Sequence, residues 1–151
     1  MTPSRAVRDV ATHLARSEKH EQVARALHDT VSNEWAAVCY FYASYHIVKA
    51  SLLVDPVFAD LTRLKNIHHL LVPDHRSPDF HQARKHSNDL GVNEVTGLLY
   101  DNVGAEYRLL HSASVQVRYH DRLATSLDDC LAHFALIKQE YEAGKLVTST
   151  Q

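Results

Sequence analysis

Between Ser32 and the Asp55-Pro56 pair the chain runs without a glycine or a proline, and its apolar residues recur at helical spacing. Trp35, Val38, Cys39, Tyr42, Tyr45, Leu52 and Leu53 fall on one broad face, which Phe41 and Val48 widen. A helix over about 33–53 follows, and a face that wide places it at the centre of whatever packs around it. Ser32 or Asn33 is positioned to cap its start, and Asp55-Pro56 ends it, because the residue before a proline is pushed out of the helical region. The whole chain is equally unpunctuated: four Gly and four Pro in 151 residues, mostly at candidate boundaries, favour long helices over many short strands.

Thr2-Pro3 has the form of a cap followed by proline at the first helical position. Val7, Val10, Ala11 and Leu14 then keep helical spacing, and Ser17 is placed to cap a second segment carrying Val23, Ala24, Leu27 and Val31, so this region reads as one kinked helix or two short ones. A helix over about 57–71 carries Phe58, Leu61, Leu64 and Leu71. After a polar loop, Ser77-Pro78 starts a helix running to Leu90-Gly91, whose apolar face is weak and suits an interface. A long helix from about Asn93 to Tyr119 contains Gly97 and Gly104, and close packing against a neighbour is expected there. The last helix, about 126–143, opens on Ser126 and Asp129 and stops at Gly144. The expected fold is all-α: an antiparallel bundle of five or six helices over 1–144, with a frayed tail at 145–151.

Composition agrees with one globular domain: 45% hydrophobic and 23% charged, with a net charge of −2 that announces no general attraction to nucleic acid. The amino terminus lacks the apolar core of a signal peptide, and no unbroken apolar run approaches a membrane span. A cytoplasmic protein with no membrane association is expected, its Cys39 and Cys130 buried as free thiols.

The twelve histidines invite a metal, but no two are three or four residues apart, and neither Glu-x-x-His nor Cys-x-x-Cys occurs. No metal and no other cofactor is expected. A nucleophile elbow, a phosphate loop and a dinucleotide fingerprint are also missing. Polar and aromatic clusters remain. Tyr42 and His46 are four apart and share a helix face, and a buried histidine there must bond another helix or line a cleft. The run from His75 to His86 holds Arg76, His81, Arg84 and Lys85, a mainly cationic set suited to phosphate. Arg118-Tyr119-His120-Asp121-Arg122 either continues that patch or caps the long helix.

Three pieces recur together across about residues 33–120: the Trp35…Phe41-Tyr42-Ala43…His46…Ala50 helix, the Ser77…His81…Arg84 segment and the Tyr107…Leu110…Ser114…Arg118-Tyr119 helix. In this combination the chain resembles the HEPN superfamily (higher eukaryote and prokaryote nucleotide-binding domain), and within it a small bacterial subgroup. The resemblance implies an antiparallel helical bundle that commonly forms a homodimer; the weak apolar face of the 78–90 helix and the small residues of the 93–118 helix make these two the candidate contacts. It implies membership among metal-independent ribonucleases of toxin–antitoxin and defence systems, or among non-catalytic relatives paired with a protein such as a nucleotidyltransferase. Active members carry Arg and His with four to six residues between them, the Arg stabilising phosphate charge and the His exchanging a proton with the 2′-hydroxyl or the leaving oxygen. Arg76 and His81 have that spacing, with Pro78 between them; Arg84 is followed at that spacing by Asp89, Leu90 and Gly91. The expected catalytic set is therefore Arg76, His81 and Arg84, and the binding set Tyr42, His46, His75, Lys85, His86, Arg118 and Tyr119. The imperfect motif favours RNA or nucleotide binding, or protein binding, over cleavage.

Overall fold

The structure, a computed structural model, describes residues 9–73, 90–120 and 122–148. Among them every regular element is helical: α1 (Val10–Val31), α2 (Trp35–Val54), a 3-10 turn (Pro56–Ala59), α3 (Leu61–Ile67), α4 (Val92–Leu99), α5 (Gly104–Tyr119) and α6 (Leu127–Glu142). This is the expected all-α bundle. Thr2-Pro3 and residues 78–89 of the helix expected over 78–90 lie outside the described residues; Leu90 is buried and is not helical.

α2 is the axis. It packs against α1, α5 and α6, and residues on every side of it are buried, including Ala36, Tyr40, Phe41, Val48 and Leu52. The stretch Trp35–Ala59 is long and apolar enough to cross a membrane by length and composition, which corrects the expectation that no segment reaches that mark. Within the bundle 72% of its most apolar window is buried against neighbouring helices, as befits a core helix. Tyr107 and Leu110 of α5 and Phe134 and Ile137 of α6 complete the core.

α1 and α2 form an antiparallel hairpin across Ser32, Asn33 and Glu34. Ser32 sits in the left-handed region (φ 48°) and ends α1, while the Asn33 side-chain carbonyl accepts the Trp35 N–H at 2.9 Å. α1 is one continuous helix, begun by Asp9, whose carboxylate accepts the Ala11 N–H. Ser17 is not a cap. It is buried inside α1, and its hydroxyl donates to the Ala43 carbonyl of α2 at 2.8 Å, which removes the reason for a break there.

Two further boundaries differ from expectation. The helix expected over 57–71 divides at Asp60, because Asp55 accepts the Val57 N–H and Asp60 accepts the Arg63 N–H, giving each short piece its own cap. The helix expected from 93 to 119 breaks at Tyr100–Val103. Asp101 and Asn102 are weak helix formers that bond readily to nearby backbone. The break also lets the buried Tyr100 hydroxyl reach Asp55, to which it donates at 2.9 Å. The chain doubles back so that α4 and α5 meet at their glycines: a Cβ on Gly104 would lie 3.6 Å from the Gly97 Cα.

Asp55 is the main polar tie of the bundle. Buried at 7% exposure, it accepts from Val57 N–H, the Tyr100 hydroxyl, and both the N–H and the hydroxyl of Thr148. Burial, then the neighbouring carboxylate, raises the Tyr100 hydroxyl pKa far above its ordinary range. The tail therefore does not fray at 145 as expected: Leu146 and Thr148 are both buried. Cys39 and Cys130 are free thiols, but only Cys130 is fully buried; burial raises the pKa of both, that of Cys130 to about 11.

Candidate functional site

The antiparallel hairpin lays a stripe of α1 along a stripe of α2. His13, Arg16 and His20 are spaced at i, i+3 and i+7 on α1, and Tyr42, Tyr45, His46 and Lys49 at i, i+3, i+4 and i+7 on α2. Such residues lie one above another on a helix face. Where the stripes meet, the imidazoles of His13 and His46 share a hydrogen bond between their Nδ1 atoms at 2.9 Å. The His20 ring stacks on His46 with centroids 5.5 Å apart and planes 10° from parallel, and lies 5.7 Å from the Tyr42 ring.

α5 closes the far end. Its Arg118 is held over its own helix by the Ser114 carbonyl at 3.3 Å and reaches the Tyr42 hydroxyl at 3.4 Å. The guanidinium lies 5.9 Å from the Tyr42 ring centroid and 5.3 Å from that of Tyr119. Tyr119 is 72% exposed, so most of its ring faces solvent. Beneath this layer Phe41 carries the ring of Tyr107 at 5.6 Å and that of His111 at 5.2 Å.

The electrostatics of the stripe run one way. His46, 7% exposed, is pushed down to about 3, first by burial and then by the positive surroundings of His13, His20, Arg16 and Lys49. His20 is lowered by burial and then by Arg16. His111 is lowered by burial and then by Arg118, with Glu94 opposing. At neutral pH the His20 and His46 imidazoles are neutral, and the fixed positive charge comes from Arg16, Lys49 and Arg118.

Of the residues singled out from sequence, Tyr42, His46 and Arg118 come together here, with Tyr119 on the exposed side of Arg118. His75, Arg76, His81, Arg84, Lys85 and His86 lie outside the described residues. Sequence reasoning missed His13, Arg16 and His20. The signal was present: His13 and His20 are seven apart, two helical turns on one face, whereas only separations of three and four were weighed.

Three histidines thus converge, but not as metal ligands. The His20 and His46 rings are nearly parallel, so their lone pairs run in parallel planes instead of aiming at one point. Among the described residues no three His, Cys, Asp or Glu side chains form a metal-holding group.

Two other places suit the chemistry less well. A cleft of about 440 Å³ between α1 and α6 contains Arg25 and Lys138, but both are already paired with Glu21, at 2.8 and 2.7 Å. His28 bridges the Tyr40 hydroxyl and Asp128, each at 2.9 Å, yet Tyr40 is fully buried, so this chain of bonds ties α6 to the hairpin without presenting a reactive atom. Comparison with family models, with curated proteins and with solved structures returns no match for the chain.

Proposed function

We propose that this protein is a HEPN-like helical module that binds RNA or a nucleotide without cleaving it. The observation that carries the reading is the Tyr42–Arg118–Tyr119 arrangement beside the histidine stripe. Proteins that hold single-stranded nucleic acid combine a cation for the backbone with an aromatic face on which a base stacks. Arg118 supplies the first, held in place by Ser114 and Tyr42, and exposed Tyr119 supplies the second. A net charge of −2 means that attraction to phosphate must be local, which fits a few positioned cations better than a broad basic surface. A cytoplasmic homodimer in a toxin–antitoxin or defence setting, working with a cognate protein such as a nucleotidyltransferase, belongs to the same proposal.

The test is fluorescence anisotropy with labelled single-stranded RNA over a salt series, in excess EDTA, followed by gel analysis of the same RNA. Binding without cleavage is expected. Tyr119→Ala should weaken it by about 1–3 kcal/mol, the usual value of one stacked base. Arg118→Ala should also lower the salt dependence by roughly one phosphate contact. Cut RNA in EDTA would instead make the protein a metal-independent ribonuclease, with Arg76, His81 and Arg84 the first residues to replace. RNA binding indifferent to both substitutions would remove the Arg118 site from the proposal.

A further inference from the structure

We propose that the stripe joining α1 to α2, with Arg16 and His20 at its rim and His46 and His13 behind them, is a phosphate-type oxyanion site that takes up a proton when it binds. The idea rests on the reading that this face receives a phosphate-bearing ligand, and it adds which side chains hold the phosphate and how pH controls that hold.

Among the described residues the charged and titratable side chains facing the site come from three helices. α1 brings Asp9, His13, Arg16 and His20, α2 brings Tyr42, Tyr45, His46 and Lys49, and α5 brings Arg118. Among the described residues one carboxylate, Asp9, stands at the His13 end and accepts from the Thr12 hydroxyl at 2.7 Å and the Ala11 N–H at 3.1 Å. Among the described residues no carboxylate acts on His20 or His46. A histidine buried for structure alone is commonly matched with an acid or a carbonyl. Here the hydrogen-bond partner of His46 is another imidazole, and a third imidazole lies across its face.

Such a group of rings tolerates its neighbours by staying neutral. A tetrahedral oxyanion reverses that balance, because its charge offsets Arg16 and gives an imidazolium something to face. The His13–His46 bond adds a constraint. Two neutral rings joined through Nδ1 share one proton there, so the ring that donates is bare at Nε2. The accepting ring already carries its proton at Nε2, so an oxyanion that engages both rings needs one further proton from solvent, added to the donating ring. Binding and protonation are then linked: the anion raises the histidine pKa, and acid tightens the anion. Arg16, exposed and one turn from both His13 and His20, is the attracting charge, while His20, half-buried, is the nearest imidazole to solvent.

The experiment is calorimetric titration of the full chain with inorganic sulfate, a tetrahedral oxyanion whose own charge is constant between about pH 5.5 and 8, in two buffers of different ionisation enthalpy. Buffer dependence of the heat should report between roughly half and one proton taken up per sulfate, and affinity should rise by up to about tenfold per unit fall in pH. His20→Gln and His46→Gln should flatten the pH dependence; glutamine keeps both a donor and an acceptor toward His13, and the exposed-side His20 variant guards against a folding defect at His46. Arg16→Gln should weaken sulfate at every pH without flattening the slope. Sulfate bound with no proton exchange, no sulfate binding, or a pH slope intact in both histidine variants would overturn the proposal. RNA binding that depends on Tyr119 but not on pH would overturn it while leaving the binding module standing. Proton-linked sulfate binding with no RNA binding would support the site and sink the RNA reading.

Discussion

Replacing Asp55 by alanine removes the acceptor for four donors at once. The cost depends on which of them can find water. Thr148 lies in the docked tail, and its N–H and hydroxyl can rehydrate if that segment lifts away. The Tyr100 hydroxyl and the Val57 N–H cannot, because those residues are 0% and 1% exposed in the core. A buried donor left without a partner costs about 1–3 kcal/mol, so two trapped donors predict a loss of about 2–6 kcal/mol. Asp55→Ala should therefore lower urea stability by roughly 3–4 kcal/mol with little change in the denaturant slope. Hydrogen exchange should show the Leu146 and Thr148 amides losing protection before the rest of the bundle. Thr148→Val, which deletes one hydroxyl bond and keeps the backbone donor, should cost about 1 kcal/mol. An Asp55→Ala protein within about 0.5 kcal/mol of the wild type would refute the reasoning, since the donors would then have alternatives that the packing denies them.

Three further outcomes are expected. His46 is near 3 when folded against an ordinary 6.5, so between those values the unfolded chain binds the extra proton. That contribution to stability is complete above 6.5 and lost as pH falls, at about 1 kcal/mol per unit; a urea midpoint unchanged or higher at about pH 5 than at 7.5 would contradict a neutral His46. Ser126→Ala deletes the hydroxyl that accepts the Asp129 N–H at 3.0 Å and should lower the melting temperature by the equivalent of about 1 kcal/mol. Gly97→Ala should stabilise by roughly 0.5–1 kcal/mol, because among the described residues nothing lies within 4 Å of the added Cβ; destabilisation by that substitution would mean the α4–α5 approach is tighter than the backbone indicates.

The candidate site was half legible. Tyr42 and His46 stood out because a four-residue separation on a strongly apolar helix puts two polar rings on one face. Arg118 and Tyr119 stood out as a cluster at a helix end. Nothing in the sequence said that these two places touch, since Tyr42 and Arg118 are far apart in the chain and meet only because α2 and α5 pack together. The α1 contribution was overlooked because the sequence reads there as one kinked helix or two short ones, with Ser17 placed at the join. With Ser17 spent as a cap, the seven-residue repeat of His13 and His20 had no continuous helix to sit on.

By itself the sequence determined what is settled within a few residues. The helical class follows from periodicity and sparse punctuation. The stop at Gly144 follows from the left-handed turn it adopts (φ 73°), and the start at Ser126 from a hydroxyl that caps the amide three residues on. These interactions are complete inside one turn of chain and need no partner. The tertiary structure alone decided the continuity of α1, the break between α4 and α5, the docking of the tail and the pairing of His13 with His46. Each depends on a polar group that finds its partner across the bundle: Ser17 on Ala43, Tyr100 and Thr148 on Asp55, one imidazole on another. A buried donor or acceptor must be satisfied somewhere, but which distant group satisfies it is set by how the helices pack, and local sequence carries no record of that choice.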